Sequence, residues 1–155
     1  ANTQDVLKFV LADRHARSLS QSEISRLLVQ PNILRIAYLD ERGDPISHPV
    51  WYYYSRDKFI LATDREGKKA KLLKKNPYVY FLVDKSSRKN GTFGLRGKGT
   101  ARVIDDPLYA TRVTRRNVKK YLGELRSKAA KAILALGPNS CVIEITPLYL
   151  ASWKF

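Results

Sequence analysis

Apolar and polar positions change period several times along the chain. Residues 20–30, SQSEISRLLVQ, place Ile24, Leu27 and Leu28 on one face at helical spacing. Ser20 with Glu23 three residues later predicts a capping box, and Pro31 predicts the stop. A shorter apolar run predicts an earlier helix around Val6–Leu11. From Ile33 the pattern becomes that of strands. ILRIAYL (33–39), PISHPVWYYYS (45–55) and KFILAT (58–63) are β-rich and separated by the turn segments DERGD and SRD. They predict a three-stranded antiparallel meander.

DREGKKAKLLKKN (64–76) then predicts a short helix with Leu72 and Leu73 on its apolar face. PYVYFLVD (77–84) and FGLRGKGTARVID (93–105) predict two more strands around a polar loop, KSSRKNGT. Glycine weakens strands, so Gly94, Gly97 and Gly99 in one strand predict bulges or the close approach of another group. Asp106 and Pro107 open a helix to about Tyr121, Gly123 breaks it, and residues 124–137 predict a second. CVIEITPLYLASWKF (141–155) is the last strand. About six mostly antiparallel strands in a single domain over 1–155 predict a small barrel, with a helical segment near 107–136 inserted before the final strand.

Charge adds a partner to this picture. There are 29 Lys and Arg residues against 14 Asp and Glu, a net +15. The excess lies in three segments, 64–75, 85–98 and 112–131. It predicts an anionic partner: nucleic acid, a phosphorylated cofactor or an acidic surface. No helix-turn-helix, zinc-finger or ribonucleoprotein motif supports nucleic acid, although the aromatics of WYYY could serve for stacking. The one cysteine, Cys141, sits in an apolar strand and is expected to be a buried structural thiol. No apolar run is long enough for a membrane helix and no signal-peptide pattern is present, so a cytoplasmic location is expected.

Candidate chemistry is sparse. There is no P-loop, no GxGxxG opening a helix, no catalytic triad spacing and no metal-ligand spacing. The informative place is the junction after Thr63, where a strand gives way to a helix bearing Lys68 and Lys69. A helix start offers free amides and a positive dipole end, and a hydroxyl with two ammonium groups there suits a phosphate. The same residues also fit a solvated amphipathic helix. If the protein is an enzyme, a cofactor carries its chemistry.

Several stretches in this order resemble the pyridoxamine 5′-phosphate oxidase-like family of flavin-binding split β-barrels. GDPISHPVWYYY is similar to the family's cofactor-facing strand. LATDREGKKAKLLKKNPYVYFLV is similar to its phosphate-binding signature, here Thr63, Lys68, Lys69, Asn76, Pro77 and Val79. LRGKGTARVIDD and the closing IEITPLYLASWKF match two further strands, so the resemblance spans roughly 20–155. It implies an α+β, mainly β fold: a six-stranded antiparallel split barrel forming a homodimer, with flavin mononucleotide (FMN) at the subunit interface.

Lys68 and Lys69 would then clamp the phosphate with Thr63. His48, Pro49, Val50 and Trp51 would line the ring or ribityl chain beside Ala62, and Trp153 would approach the ring from the second subunit. The family oxidase's serine-arginine-lysine triplet reads Gly67-Lys68-Lys69 here, and its C-terminal Arg-x-His pattern has no counterpart. The chain therefore resembles the short, divergent members. The implied function is a flavin-dependent oxidoreductase of unknown substrate. A reductase using the deazaflavin coenzyme F-420, its anionic tail met by Arg88, Lys89, Arg96 and Lys98, or a non-catalytic flavin-binding protein are the alternatives.

Overall fold

The computed structural model describes residues 7–155. Its elements in chain order are β1 (Lys8–Leu11), α1 (Gln21–Val29), β2 (Leu34–Leu39), β3 (Pro45–Val50), β4 (Tyr53–Ser55), β5 (Lys58–Asp64), α2 (Lys68–Lys75), β6 (Tyr78–Ser87), β7 (Gly91–Ile104), α3 (Pro107–Leu122), α4 (Lys128–Leu134) and β8 (Ser140–Lys154). The strands form one curled sheet in the order β3-β2-β6-β7-β8-β5-β4, each neighbour antiparallel. The sheet does not close on itself, which is a split barrel.

Alternation sets the inner face. In β2, Leu34, Ile36 and Tyr38 are buried, while Arg35 is exposed. In β6, Val79, Phe81 and Val83 are buried between more exposed residues. These side chains meet Tyr52, Phe59, Leu61, Leu95, Ile143 and Ile145 in the main core, where the Phe59 and Phe81 rings lie 4.7 Å apart. α3 packs outside the barrel: Ala110 and Val113 bury against Ile60 of β5 and Val142 of β8.

Four expectations need correction. The run at 6–11 is not helical in its described part: β1 pairs in parallel with Tyr149–Ser152, so tertiary pairing overrides its local pattern. Residues 45–55 are two strands, not one. They break at Trp51-Tyr52, and β3 and β4 fall at opposite ends of the strand order. The predicted meander is therefore two separate hairpins, β2–β3 and β4–β5, and the strand count rises from six to eight. The loop at 85–92 is a tight hairpin whose strands run on to Ser87 and restart at Gly91. The second helix begins only at Lys128, capped by Ser127.

Other local signals act as the sequence predicts. Ser20 and Glu23 form the reciprocal capping box. Asp106 accepts hydrogen bonds from the amides of Leu108 and Tyr109, and Gly123 ends α3 in the left-handed region at φ 76°. The glycine-rich strand shows both expected features. The β7–β8 register shifts between Lys98 and Gly99, and a side chain at Gly97 would meet the Tyr149 carbonyl and the Phe81 ring. Cys141 is buried. Among the described residues, no helix is long and apolar enough to cross a membrane.

Candidate functional site

β3 ends where β5 also ends, and α2 starts just beyond. The space between them is a cavity of about 420 Å³ lined by Ile33, Pro49, Val50, Trp51, Ala62, Lys69, Thr114, Asn117 and Ile133. Five of the nine residues singled out from the sequence are in its wall. The alternation of β5 turns Leu61 into the core and leaves Ala62, which pairs with Val142, on the cavity side. β3 stops at Val50, and Trp51 then leaves the sheet to stack on Tyr121 of α3, with centroids 4.9 Å apart and planes 3° from parallel.

Lys69 is the cation of this cavity. Its Nζ donates to Thr63 Oγ1 at 3.5 Å. It is half-buried, no carboxylate pairs with it among the described residues, and burial pushes its ammonium below the ordinary lysine value. Gly67, the N-cap of α2, makes no side-chain hydrogen bond to the helix. The first-turn amides are thus left to another acceptor, next to an unneutralised ammonium. Lys68 sits on a different side of the helix. It is exposed, and its Nζ lies 4.0 Å from Glu41 Oε2.

His48 is beside the cavity rather than in its wall. Its Nε2 lies 2.7 Å from the Tyr38 hydroxyl. Burial first, and the charge of Lys69 second, hold its pKa below the usual histidine value, so the ring is neutral at pH 7. Trp153 is not part of this cavity within one chain. It stands eleven residues along β8 from Val142, roughly 35 Å of extended strand, over Gly94. Arg88 and Lys89 occupy the β6–β7 hairpin. Arg96 donates to the Ala12 carbonyl and Lys98 lies over the Tyr78 ring, both well along β7 from its cavity end.

The sequence reading missed the contribution of α3. Its buried face is Ala110, Val113, Thr114, Asn117 and Val118, so two polar residues three apart interrupt an apolar stripe. That interruption was the available signal. The end of α3 also fixes the β3–β4 break. Lys120 Nζ donates to the Leu28 and Tyr52 carbonyls at 2.8 and 2.9 Å and lies 3.8 Å from the centre of the Tyr52 ring. The Tyr121 hydroxyl donates to the Asn32 carbonyl at 2.7 Å. Trp51 and Tyr52 are committed to this packing and are not a free stacking platform for bases.

Burial, and then the charge of Arg116, lower Lys120 from 10.5 to about 8. Between these two values the unfolded chain binds more protons than the folded one, so this group's contribution to stability rises with pH through that window. Urea unfolding should show wild type gaining about 1–2 kcal/mol over Lys120→Met between pH 7 and pH 9.5. A difference that does not change with pH would mean that Lys120 is solvated.

Comparison with known proteins agrees with the architecture. A family model described as pyridoxamine 5′-phosphate oxidase matches residues 20–154. No curated protein matches the chain in sequence. Among solved structures, a conserved hypothetical protein from Mycobacterium tuberculosis is 20% identical with a TM-score of 0.77, covering 92% of this chain and 89% of that one. A FAD-binding protein from Mesorhizobium loti is 20% identical with a TM-score of 0.64, over 90% and 98%. An F420 reductase is 19% identical with a TM-score of 0.65, over 82% and 94%. At these identities the likeness is one of fold, whereas the family model spans nearly the whole chain. On that match and the split-barrel topology, the chain belongs to the pyridoxamine 5′-phosphate oxidase family.

Proposed function

We propose that the protein is a flavoprotein oxidoreductase that holds FMN in the cavity beside Lys69. The observation that carries this reading is the half-buried, unneutralised Lys69 hydrogen-bonded to Thr63 at the uncapped start of α2. A phosphate fits that set: it would neutralise the ammonium and accept from the hydroxyl and the first-turn amides. Lys68 would add a weaker, solvent-screened attraction. The stretch Pro49–Trp51 and Ala62 supply a mostly apolar wall for a flat ring, and the Trp51–Tyr121 stack keeps that wall in place. His48, neutral and bonded to Tyr38, would support the β3 end without adding a second positive charge.

Bound flavin supplies hydride and electron transfer, and the protein supplies anchoring, orientation and exclusion of water. The family resemblance implies a homodimer in which Trp153, far from the cavity within one chain, would approach the ring held by the second subunit. Exposed Leu39, Tyr78 and Tyr80 give such a contact an apolar surface.

The deazaflavin alternative has one observation in its favour. The same α3 that walls the cavity carries Arg112, Arg115 and Arg116, none paired with a carboxylate among the described residues. They would add to Arg88, Lys89, Arg96 and Lys98 as receivers of an anionic tail. An absorbance spectrum of the purified protein, with mass analysis of whatever heat releases, tests both readings. The two-banded spectrum of a flavin and a released mass of FMN are expected. A single deazaflavin band would move the protein to coenzyme F-420, and a colourless protein that binds neither added compound would overturn the proposal.

A further inference from the structure

Asn117 is a polar residue out of place on an apolar helix face. It is 4% exposed and lies on the buried face of α3 beside Val113 and Val118. Asn117 is one of the residues that line the cavity, and its buried Oδ1 has no hydrogen-bond partner. A buried acceptor left unmade is costly, so one that borders a cavity calls for a partner from within it. The neighbouring Thr114 differs. Its hydroxyl donates to the Ala110 carbonyl at 2.8 Å, so toward the cavity it can only accept. α3 thus offers the cavity one hydroxyl acceptor and one carboxamide with both an acceptor and donors.

A carboxamide is matched by a planar edge that carries an N–H next to a carbonyl. Phosphate, ribityl and dimethylbenzene groups lack that edge. The pyrimidinedione ring shared by flavins and deazaflavins has it, as an N–H between two carbonyls. We infer that Asn117 is the specificity-determining residue that reads this imide edge and so turns the bound ring with its pyrimidine side toward α3. The inference rests on the flavin reading above. Rotation about χ2, which is soft in asparagine, is all that is needed to bring Oδ1 to the N–H and Nδ2 to a carbonyl. Lys69 would then anchor one end of the cofactor and Asn117 the other.

The test separates this role from a packing role. Asn117→Leu removes the orphaned carbonyl at similar volume, so the ligand-free variant should melt at the same temperature as wild type or higher. Its affinity for FMN, read by fluorescence titration, should fall at least about tenfold. Wild type should also bind 3-methyl-FMN, which lacks the N–H, at least about tenfold more weakly than FMN, and the variant should discriminate less than about threefold. The wild-type comparison needs no variant, and Asn117→Ala replaces Leu if that protein does not fold. Should only the deazaflavin bind to wild type, the same wild-type-against-variant titration is read with it.

Unchanged affinity in the variant, or equal binding of the two flavins by wild type, overturns the role of Asn117 while leaving the flavin assignment intact. A clear loss of ligand-free stability would show a structural asparagine instead. Failure of wild type to bind either flavin or deazaflavin would overturn the underlying reading itself.

Discussion

Lys69→Met should weaken FMN binding by at least tenfold and leave the ligand-free protein as stable as wild type or more so. A charge-assisted phosphate contact is typically worth about 1.5–3 kcal/mol, or roughly 12- to 150-fold in affinity. The whole of it falls on one residue here, because Lys69 alone of the basic pair is in the cavity wall. Methionine keeps the apolar stem that packs between Thr63 and the start of α2 and removes only the ammonium. Without ligand that ammonium is a burden, since burial already lowers its pKa and no carboxylate offsets it among the described residues. Lys68→Ala provides the contrast, because its side chain is 65% exposed and faces Glu41. It should change affinity only a few-fold, in the range of a surface ion pair. Titration calorimetry with FMN on the three proteins checks this. A Lys69→Met dissociation constant within threefold of wild type would remove the phosphate from this end of the cavity.

Gly97→Ala should cost about 3 kcal/mol or more of folding stability. An added Cβ would meet the Phe81 ring at 2.7 Å and come closer still to the Tyr149 carbonyl oxygen. The ring has little room to retreat, since Phe81 packs on Phe59 in the main core. The carbonyl has less, because β8 is held by β7 on one side and by β1 on the other at Tyr149. Ordinary overpacking costs about 1–3 kcal/mol when side chains alone must shift. Here backbone must shift too, in the most extensively paired part of the sheet. Gly43→Ala separates space from conformation: φ is +82° there, with nothing within 4 Å of an added Cβ. It should lose only about 1 kcal/mol, the strain of a left-handed alanine. Urea midpoints of the two variants measure the contrast, and equal small losses would show that the β7–β8 spacing is soft.

What could be read from the chain was what local chemistry decides. Ser20 with Glu23, Asp106-Pro107 and Gly123 are end signals that act within a turn of themselves, and each sits where the sequence places it. Lys69 and the Pro49–Trp51 stretch, named together by the family resemblance, line one cavity, and Thr63 accepts from Lys69 beside it; what they hold there is the proposal above. The β3–β4 break was not legible, since Trp51, Tyr52, Tyr53 and Tyr54 are all good strand residues. Only the opposite positions of β3 and β4 in the sheet force the chain to leave it there. β1 was misread because its pairing partner lies some 140 residues away. Thr114 and Asn117 were hidden among the bases of α3, where a polar residue looks solvated until the helix is docked.

The single cysteine has a consequence for how the chain meets oxidants. The sequence contains no methionine, and Cys141 is 1% exposed at the start of the longest strand, its thiol pushed by burial above the usual value. Peroxide and similar two-electron oxidants attack thiolates and accessible thioethers first. Here the one sulfur is buried and its thiolate disfavoured, so the folded chain presents neither target at its surface.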